Sequence, residues 1–423
     1  MLRSLAILGI SLGLAAAAQA PGAPAFTLAQ ALDRARANSP DFQAALVAEG
    51  IAAADQTQAR AALLPSLNYD SSYIYTQGNR YIANNAIHEY SSQGNLHEAL
   101  DFGSTAALAK ARAGAALARA QAEIAARGLA ATVTADFYGL LSAQHKRATA
   151  EQAQADAQKY LSVSQDRERG GEVAHADVLK AQLELEQRQR DAREAGLAAQ
   201  QAQLGLAVLL FPSFNTNFTL VDDLAQPPPL PPQAQVEALA GQRNPALGVA
   251  RAGVEQAQAG IGIARAGLLP TLSLDYFYGI DAAQFALRNQ FGQPNLGSAA
   301  TATVAIPVFS WGANRAKLQQ SELQAAQAQR QLSFTQRSLA ADLQGFYAEA
   351  EAARAELATL LSSRDLAAES LRLAGLRYQD GEATILELVD AQNTATAARN
   401  AYDDGLVRYR VALANLQTLT GPF

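Results

Sequence analysis

Two stretches of the chain alternate apolar and polar residues with a period of two. Leu67, Tyr69, Tyr73 and Tyr75 share one face while Asn68, Asp70, Ser72 and Thr76 fill most of the other. Leu272, Leu274, Tyr276 and Tyr278 likewise oppose Thr271, Ser273 and Asp275. Aromatic residues on the apolar face of such a strand suit one side in lipid and the other in water. The alternation predicts strands over about 65–77 and 270–280. Polar loops (77–94 and 281–298) then lead to second strands over about 95–103 and 299–311. The second of these is marked by Thr301 and Thr303 between Ala302, Val304 and Ile306.

The period then changes. Residues 104–168 and 313–379 contain no proline and are rich in Ala, Leu, Gln and Glu, so each predicts a helix close to 100 Å long. In the second stretch Leu332, Leu339, Phe346, Ala353, Leu360, Ala367 and Ala374 recur every seven residues. Leu343, Ala350, Leu357 and Leu371 form a companion row, which makes a coiled-coil stripe. Turns at Gly170-Gly171 and Gly381 reverse the chain into return helices of about 39 residues. Shorter helices over 41–63 and 245–268 precede the strands and stop at Leu-Pro steps. A short helix and a return helix together nearly match the long one, so the two would stack end to end beside it.

These elements occur twice. Asn38-Ser39-Pro40 and Leu64-Pro65-Ser66-Leu67 correspond to Asn244-Pro245 and Leu269-Pro270-Thr271-Leu272, with a proline-to-proline spacing of 25 in both copies. Phe102-Gly103 and Trp311-Gly312, like Phe137-Tyr138 and Phe346-Tyr347, are offset by 209, and Gly171-Glu172 and Gly381-Glu382 by 210. The first repeat spans 21–226 with its helical hairpin over about 104–211. A Pro-rich connector (227–235) follows, then a second repeat (236–423) with its hairpin over about 313–420. Four membrane strands cannot close a barrel, and an open sheet edge in lipid leaves backbone groups unsatisfied. The pattern therefore predicts an obligate oligomer.

Composition narrows the chemistry. Thirty-three basic and 39 acidic residues give a net charge of −6 and supply no basic surface for nucleic acid. The absence of cysteine excludes disulfides, thiol catalysis and Cys-type metal sites. No nucleophile motif, phosphate loop or zinc spacing is present, so no enzyme activity, cofactor or metal is expected. His88-Glu89 and His97-Glu98 are the divalent-metal candidates of a rival reading as a secreted metalloenzyme. Residues 1–20 have the form of a secretory signal: Arg3, an apolar run from Leu5 to Leu14, and small residues from Ala15 to Ala20. Cleavage after Ala20 fits Ala18-Gln19-Ala20, and cuts after Ala17 or Ala18 avoid a following Pro21. No later segment is apolar enough for a spanning helix.

Arg377-Tyr378, Gly381, Glu387-Leu388-Val389-Asp390-Ala391-Gln392, Ala398-Arg399 and the closing Leu419-Thr420-Gly421 resemble the repeat signature of the TolC-like outer membrane efflux proteins. Gly171, Asp177-Val178-Leu179 and Ala181-Gln182 carry it in the first repeat, and the resemblance covers essentially the whole chain after the signal. It implies a mainly helical fold with membrane strands: a homotrimer whose 12-stranded β-barrel in outer-membrane lipid continues into a periplasmic helical barrel. An equatorial belt would include the connector and a short helix near 28–37. The implied function is that of an exit duct, passive and gated, working with a periplasmic adaptor and an inner-membrane pump in efflux or type I secretion. The alternative is a periplasmic coiled-coil adaptor.

The resemblance also assigns residues. Glu387 and Asp390 lie three apart on one helix face, and in a trimer they would form carboxylate rings at the pore constriction. Asp177 is the first-repeat counterpart, and Tyr378 occupies the position of a tyrosine that helps hold the entrance shut. A basic residue common in the family is replaced by Ala383, leaving Arg377 or Arg169 as substitutes. The adaptor would dock at Gly170, Gly171, Glu172 and Val173 and at Asp380, Gly381 and Glu382; Glu172 stands where many relatives are apolar.

Overall fold

The computed structural model describes residues 24–76 and 88–422. Residues 1–20, expected to be a signal, and most of the first polar loop lie outside them. In chain order the elements are β1 (Ala25–Phe26), α1 (Leu28–Asn38), α2 (Pro40–Ala61), β2 (Ser66–Tyr75), β3 (His88–Leu100), α3 (Phe102–Arg169) and α4 (His175–Leu210). Then come β4 (Thr219–Leu220), α5 (Gln233–Arg243), α6 (Pro245–Ala266), β5 (Thr271–Ala282), β6 (Leu296–Ala305), α7 (Ala313–Gln379) and α8 (Ile385–Thr420).

The long helices α3 and α7 have 68 and 67 residues, about 100 Å each. No single neighbour is long enough to cover them. The upper half of α3 packs on α2 and α6, and its lower half on α4 and α8. Small residues set the spacing: a Cβ on Gly262 would come within 3.0 Å of Ala106, and one on Gly248 within 3.2 Å of Ala120. Along α7 the heptad positions Leu343, Ala350, Ala353, Ala367 and Ala374 are buried.

The stacked helices are joined by one device used twice. Asn38 donates its side-chain amide to the Leu210 carbonyl (2.7 Å), tying the last turn of α4 to the start of α2. Asn244 does the same with Leu419 (3.2 Å), tying α8 to α6. Both bonds satisfy a helix C-terminal carbonyl that has no partner of its own. In the first repeat Ser39 caps α2 at the Phe42 amide, whereas in the second Asn244 is also the cap, accepting from the Leu247 amide. That economy explains why Asn-Ser-Pro shortens to Asn-Pro.

At this level a belt wraps the helices. β1 pairs parallel with β4, and Phe26, Phe211 and Phe218 form a cluster with ring centroids 5.6–6.2 Å apart. Sequence reading missed α5 and the two-residue strands β1 and β4, the strands being too short to show a period. The prolines of the connector have no N–H and cannot pair with one another, so their carbonyls need outside donors. Tyr409 donates to Pro228 (3.0 Å), Tyr347 to Pro231 (3.2 Å) and Arg410 to Gln226 (2.9 Å). His145 on α3 lies between Asp222 of the strap (2.7 Å) and Asp403 of α8 (3.5 Å).

The four longer strands form one antiparallel sheet in the order β2-β3-β5-β6. The first polar loop is shorter than its composition suggested, because residues 88–94 belong to β3. His88 and Glu89 pair with β2, and from Tyr90, opposite Tyr73 and Ala282, both sides pair, so two backbone ladders hold a segment that has no apolar alternation. Likewise β5 continues to Ala282, and β6 is observed at Leu296–Ala305 where 299–311 was expected. Register aligns Leu67, Leu96, Tyr276 and Ala300 on one face, and Asp70, Gln93 and Gly279 on the other. β2 and β6 are the edges, with no further strand beside them among the described residues.

Two predictions follow from this packing. A Cβ on Gly279 would overlap the Ser92 carbonyl and Gln93 Cα, whereas Gly297 faces open space. Gly279→Val should lower the thermal unfolding midpoint sharply, at a cost of about 2 kcal/mol or more, while Gly297→Ala leaves it nearly unchanged. His145, hydrogen-bonded to Asp403 and Asp222 against the opposing effect of burial, has its pKa raised from 6.5 to about 9. A raised pKa stabilises the fold fully below pH 6.5, and the contribution is lost as pH rises through about 9. The gap in midpoint between wild type and His145→Gln should therefore be wide at pH 6 and close by pH 10.

Candidate functional site

Both hairpin turns are built alike and lie together at the end of the bundle away from the sheet. Gly171 and Gly381 have φ of 77° and 86°, a left-handed conformation that glycine adopts without strain. In each, the amide after the glycine returns to a carbonyl of the last helical turn: Glu172 to Arg167 (2.9 Å) and Glu382 to Arg377 (2.8 Å). Thr384 caps α8 by accepting from the Glu387 amide (3.3 Å). Ala174 occupies the matching place on α4 and makes no side-chain cap. Leu161, Val178, Leu185, Tyr378, Ile385 and Leu388 form the apolar cluster that welds the two tips.

Tyr378 is the centre of that cluster and only 2% exposed. Its hydroxyl shares a short, buried hydrogen bond with Ser164 Oγ. Its ring stands edge-on to Tyr160, whose own hydroxyl pKa is raised by burial and by Asp156. Arg167 reaches over from α3. It donates to the Tyr378 carbonyl (3.1 Å), lies 5.6 Å above the Tyr378 ring, and pairs with Glu172 (3.2 Å). Asp177 is 3.5 Å from Lys180 and makes no hydrogen bond to Tyr378 within the chain.

The two basic substitutes considered for Ala383 pair differently. Arg377 pairs with Glu387, and Arg169 with Asp166 on its own helix. Arg167 is the residue sequence reasoning missed. The signal was available, since Arg167 is the first-repeat equivalent of Arg377 at the same offset of 210 as the tip glycines. Above the turns, Arg188 on α4 is buried and bonded to Glu184 (2.6 Å), Asp191 (3.0 Å) and Asn393 of α8. Gln392 donates to the Ala153 carbonyl (2.9 Å), joining α8 to α3.

The tip residues Gly170, Gly171, Glu172, Asp380, Gly381 and Glu382 are exposed, and Val173 is half-buried. Glu387 and Asp390 are exposed on α8, and Asp390 has no ion-pair partner among the described residues. His88 and His97 do not form a site together. They are nine residues apart on β3, about 30 Å, and on opposite faces. His88 bonds to Tyr73 (2.6 Å) and His97 to Asp275 (2.7 Å). Among the described residues no group of three or more His, Asp or Glu side chains is placed to hold a metal.

The family model described as outer membrane efflux protein matches residues 31–210 and 237–422. Protein CyaE of Bordetella pertussis is 28% identical over 279 residues, 64% of this chain and 57% of that protein. Outer membrane protein OprJ of Pseudomonas aeruginosa is 26% identical over 261 residues, 59% of this chain and 52% of that one. The matches thus span just over half the length of these relatives. Among solved structures, a membrane protein from Pseudomonas aeruginosa aligns with a TM-score of 0.80 at 24% identity, covering 93% of this chain and 90% of that one. The CmeC outer membrane channel of Campylobacter jejuni aligns with a TM-score of 0.78 at 16% identity, covering 99% and 94%. At these identities the structures speak for the fold.

The tip contacts predict a local effect. Ser164→Ala should remove about 1 kcal/mol of hydrogen bonding, and Arg167→Ala should free both Glu172 and the Tyr378 carbonyl. Amide hydrogen exchange over 374–385 should quicken in both variants, with exchange at the belt unchanged.

Proposed function

The chain belongs to the outer membrane efflux protein family, whose members are channel proteins rather than enzymes, and from that premise we propose that three copies form an exit duct. The observation that carries the proposal is the pair of open edges. β2 and β6 end the sheet, and in lipid their unpaired backbone groups require strands from neighbouring copies. Eight strands, from two copies, would leave a barrel filled by its own side chains, while twelve, from three, leave an aqueous lumen. Large apolar residues are also exposed along the helical wall, among them Leu179, Leu183 and Leu197 on α4 and Phe334, Leu366 and Leu373 on α7. Neighbouring copies would cover them.

The sheet suits an outer membrane. Its apolar face has Tyr73, Tyr75 and Tyr90 at one end, and exposed Phe102, Phe309 and Trp311 follow the strands at the other. Trp311 has φ 51° and is 90% exposed, so its indole is held outward by an unusual backbone. Such aromatic bands bound the apolar zone of membrane barrels. The alternative, a soluble coiled-coil adaptor, has no use for this sheet. Residues 1–20 are the export signal in this reading, and the helical hairpins extend into the periplasm.

Conduction through the duct is passive and gated at the tips. Glu387 and Asp390 form the constriction with Asp177, and Tyr378 anchors the closed arrangement through Ser164 and Arg167. A periplasmic adaptor docks on Gly170, Gly171, Glu172, Val173, Asp380, Gly381 and Glu382, and an inner-membrane pump supplies substrate for efflux or type I secretion. The Arg377–Glu387 pair is half-exposed, and exposed pairs contribute only about 0–1 kcal/mol, within reach of a docking partner. Planar-bilayer recordings of the trimer should show a small, cation-preferring conductance. Glu387→Gln with Asp390→Asn should raise the conductance and weaken the preference; an unchanged channel would remove the constriction role.

A further inference from the structure

One residue is out of keeping with the apolar face of the sheet. Followed by register through the four strands, the face holding Leu67, Leu96 and Tyr276 contains no Lys or Arg and a single carboxylate, Glu98. Glu98 is opposite Leu274, and its same-face neighbours along β3 are Leu96 and Leu100. All three leucines are 40–50% exposed, so they form a surface rather than a core. Oε2 of Glu98 is shielded from solvent and has no hydrogen-bond donor. On the opposite face, which also holds Asp70, Glu89 and Asp281, Asp275 is by contrast bonded to His97.

Its height matters as much as its face. Glu98 is two residues, about 7 Å, before the end of β3 at Leu100, and α3 starts at Phe102 after its cap Asp101. In the membrane reading, on which this inference rests, that is the periplasmic edge of the apolar band, where headgroups begin. A carboxylate facing apolar surroundings is expensive unless a cation and an N–H donor meet it. Among the described residues the chain supplies neither at Glu98. A phospholipid with a primary ammonium group supplies both, whereas a quaternary ammonium has no N–H and a phosphatidylglycerol headgroup has no cation.

We propose that Glu98 is a headgroup site that takes the primary ammonium of an inner-leaflet phospholipid, three such sites ringing the trimer. Leu274 beside it and Leu96 and Tyr276 on its membrane side receive the acyl chains of the same lipid. The site ties the barrel to one leaflet at a fixed height, next to the junction with α3.

The test uses the full chain in vesicles of equal phosphatidylethanolamine and phosphatidylglycerol with EDTA present, re-extracted gently, with retained lipids counted by mass spectrometry. Wild type should retain phosphatidylethanolamine over phosphatidylglycerol by about fivefold, the worth of one charge near a membrane surface. Phosphatidylcholine in its place should give no enrichment. Glu98→Gln should abolish the preference and Glu98→Lys should reverse it. Equal retention by wild type, an unchanged preference in Glu98→Gln, or a preference that exists only when divalent cations replace EDTA would overturn the proposal. Trp311, the one tryptophan of the chain, separates the two readings when its fluorescence is measured with brominated acyl chains. An unquenched Trp311 removes the membrane reading and this proposal with it. A quenched Trp311 without headgroup preference removes this proposal alone.

Discussion

A helix of 68 residues cannot bury its apolar stripe against a partner half its length, and the rest of the molecule is arranged around that constraint. The chain solves it by stacking two short helices, and the joint between them is one asparagine amide on one orphaned carbonyl. Asn38 on Leu210 and Asn244 on Leu419 make α4 and α2, and α8 and α6, act as continuous rods beside α3 and α7. The belt closes over these joints. Its strap of prolines cannot hydrogen-bond to itself and is held by Tyr347, Tyr409 and Arg410, so the weakest points of the rods are also the most heavily clamped.

The two ends of the rods are treated differently. At one end backbone pairing makes the structure, a four-stranded sheet with no further strand beside β2 or β6 among the described residues. At the other, side chains close the structure: Tyr378 in its apolar cluster, Ser164 beneath its hydroxyl and Arg167 across its ring. Backbone pairing is uniform and hard to interrupt, whereas a few side-chain contacts can be exchanged one at a time.

The duplication makes the departures from it informative. Arg167 and Arg377 are equivalents, yet one is folded over Tyr378 while the other pairs with Glu387. Lys180 stands where the second repeat has Asp390, so Asp177 has a cation beside it while Asp390 has none among the described residues. Thr384 caps α8, but Ala174 leaves α4 uncapped. The same backbone thus presents a neutralised tip from one repeat and an acidic one from the other.

The elements that repeat over many residues were legible in the sequence. Period two marked the strands, the heptads marked α7, and glycine and proline marked the turns, because each pattern follows from local backbone geometry. The equivalence of the repeats also follows from counting along the chain. Local pattern was silent where a segment is held by distant groups. Residues 88–94 are strand only because β2 and β5 flank them, and β4 and α5 exist only under the belt. Likewise, no spacing could say which arginine would meet Tyr378, since Arg167 and Tyr378 are 211 residues apart and the choice depends on how two hairpins pack. The sequence determined the rods, the strands and their duplication; tertiary structure decided the joints, the belt and the partners at the tips, because those bonds join groups that only folding brings together.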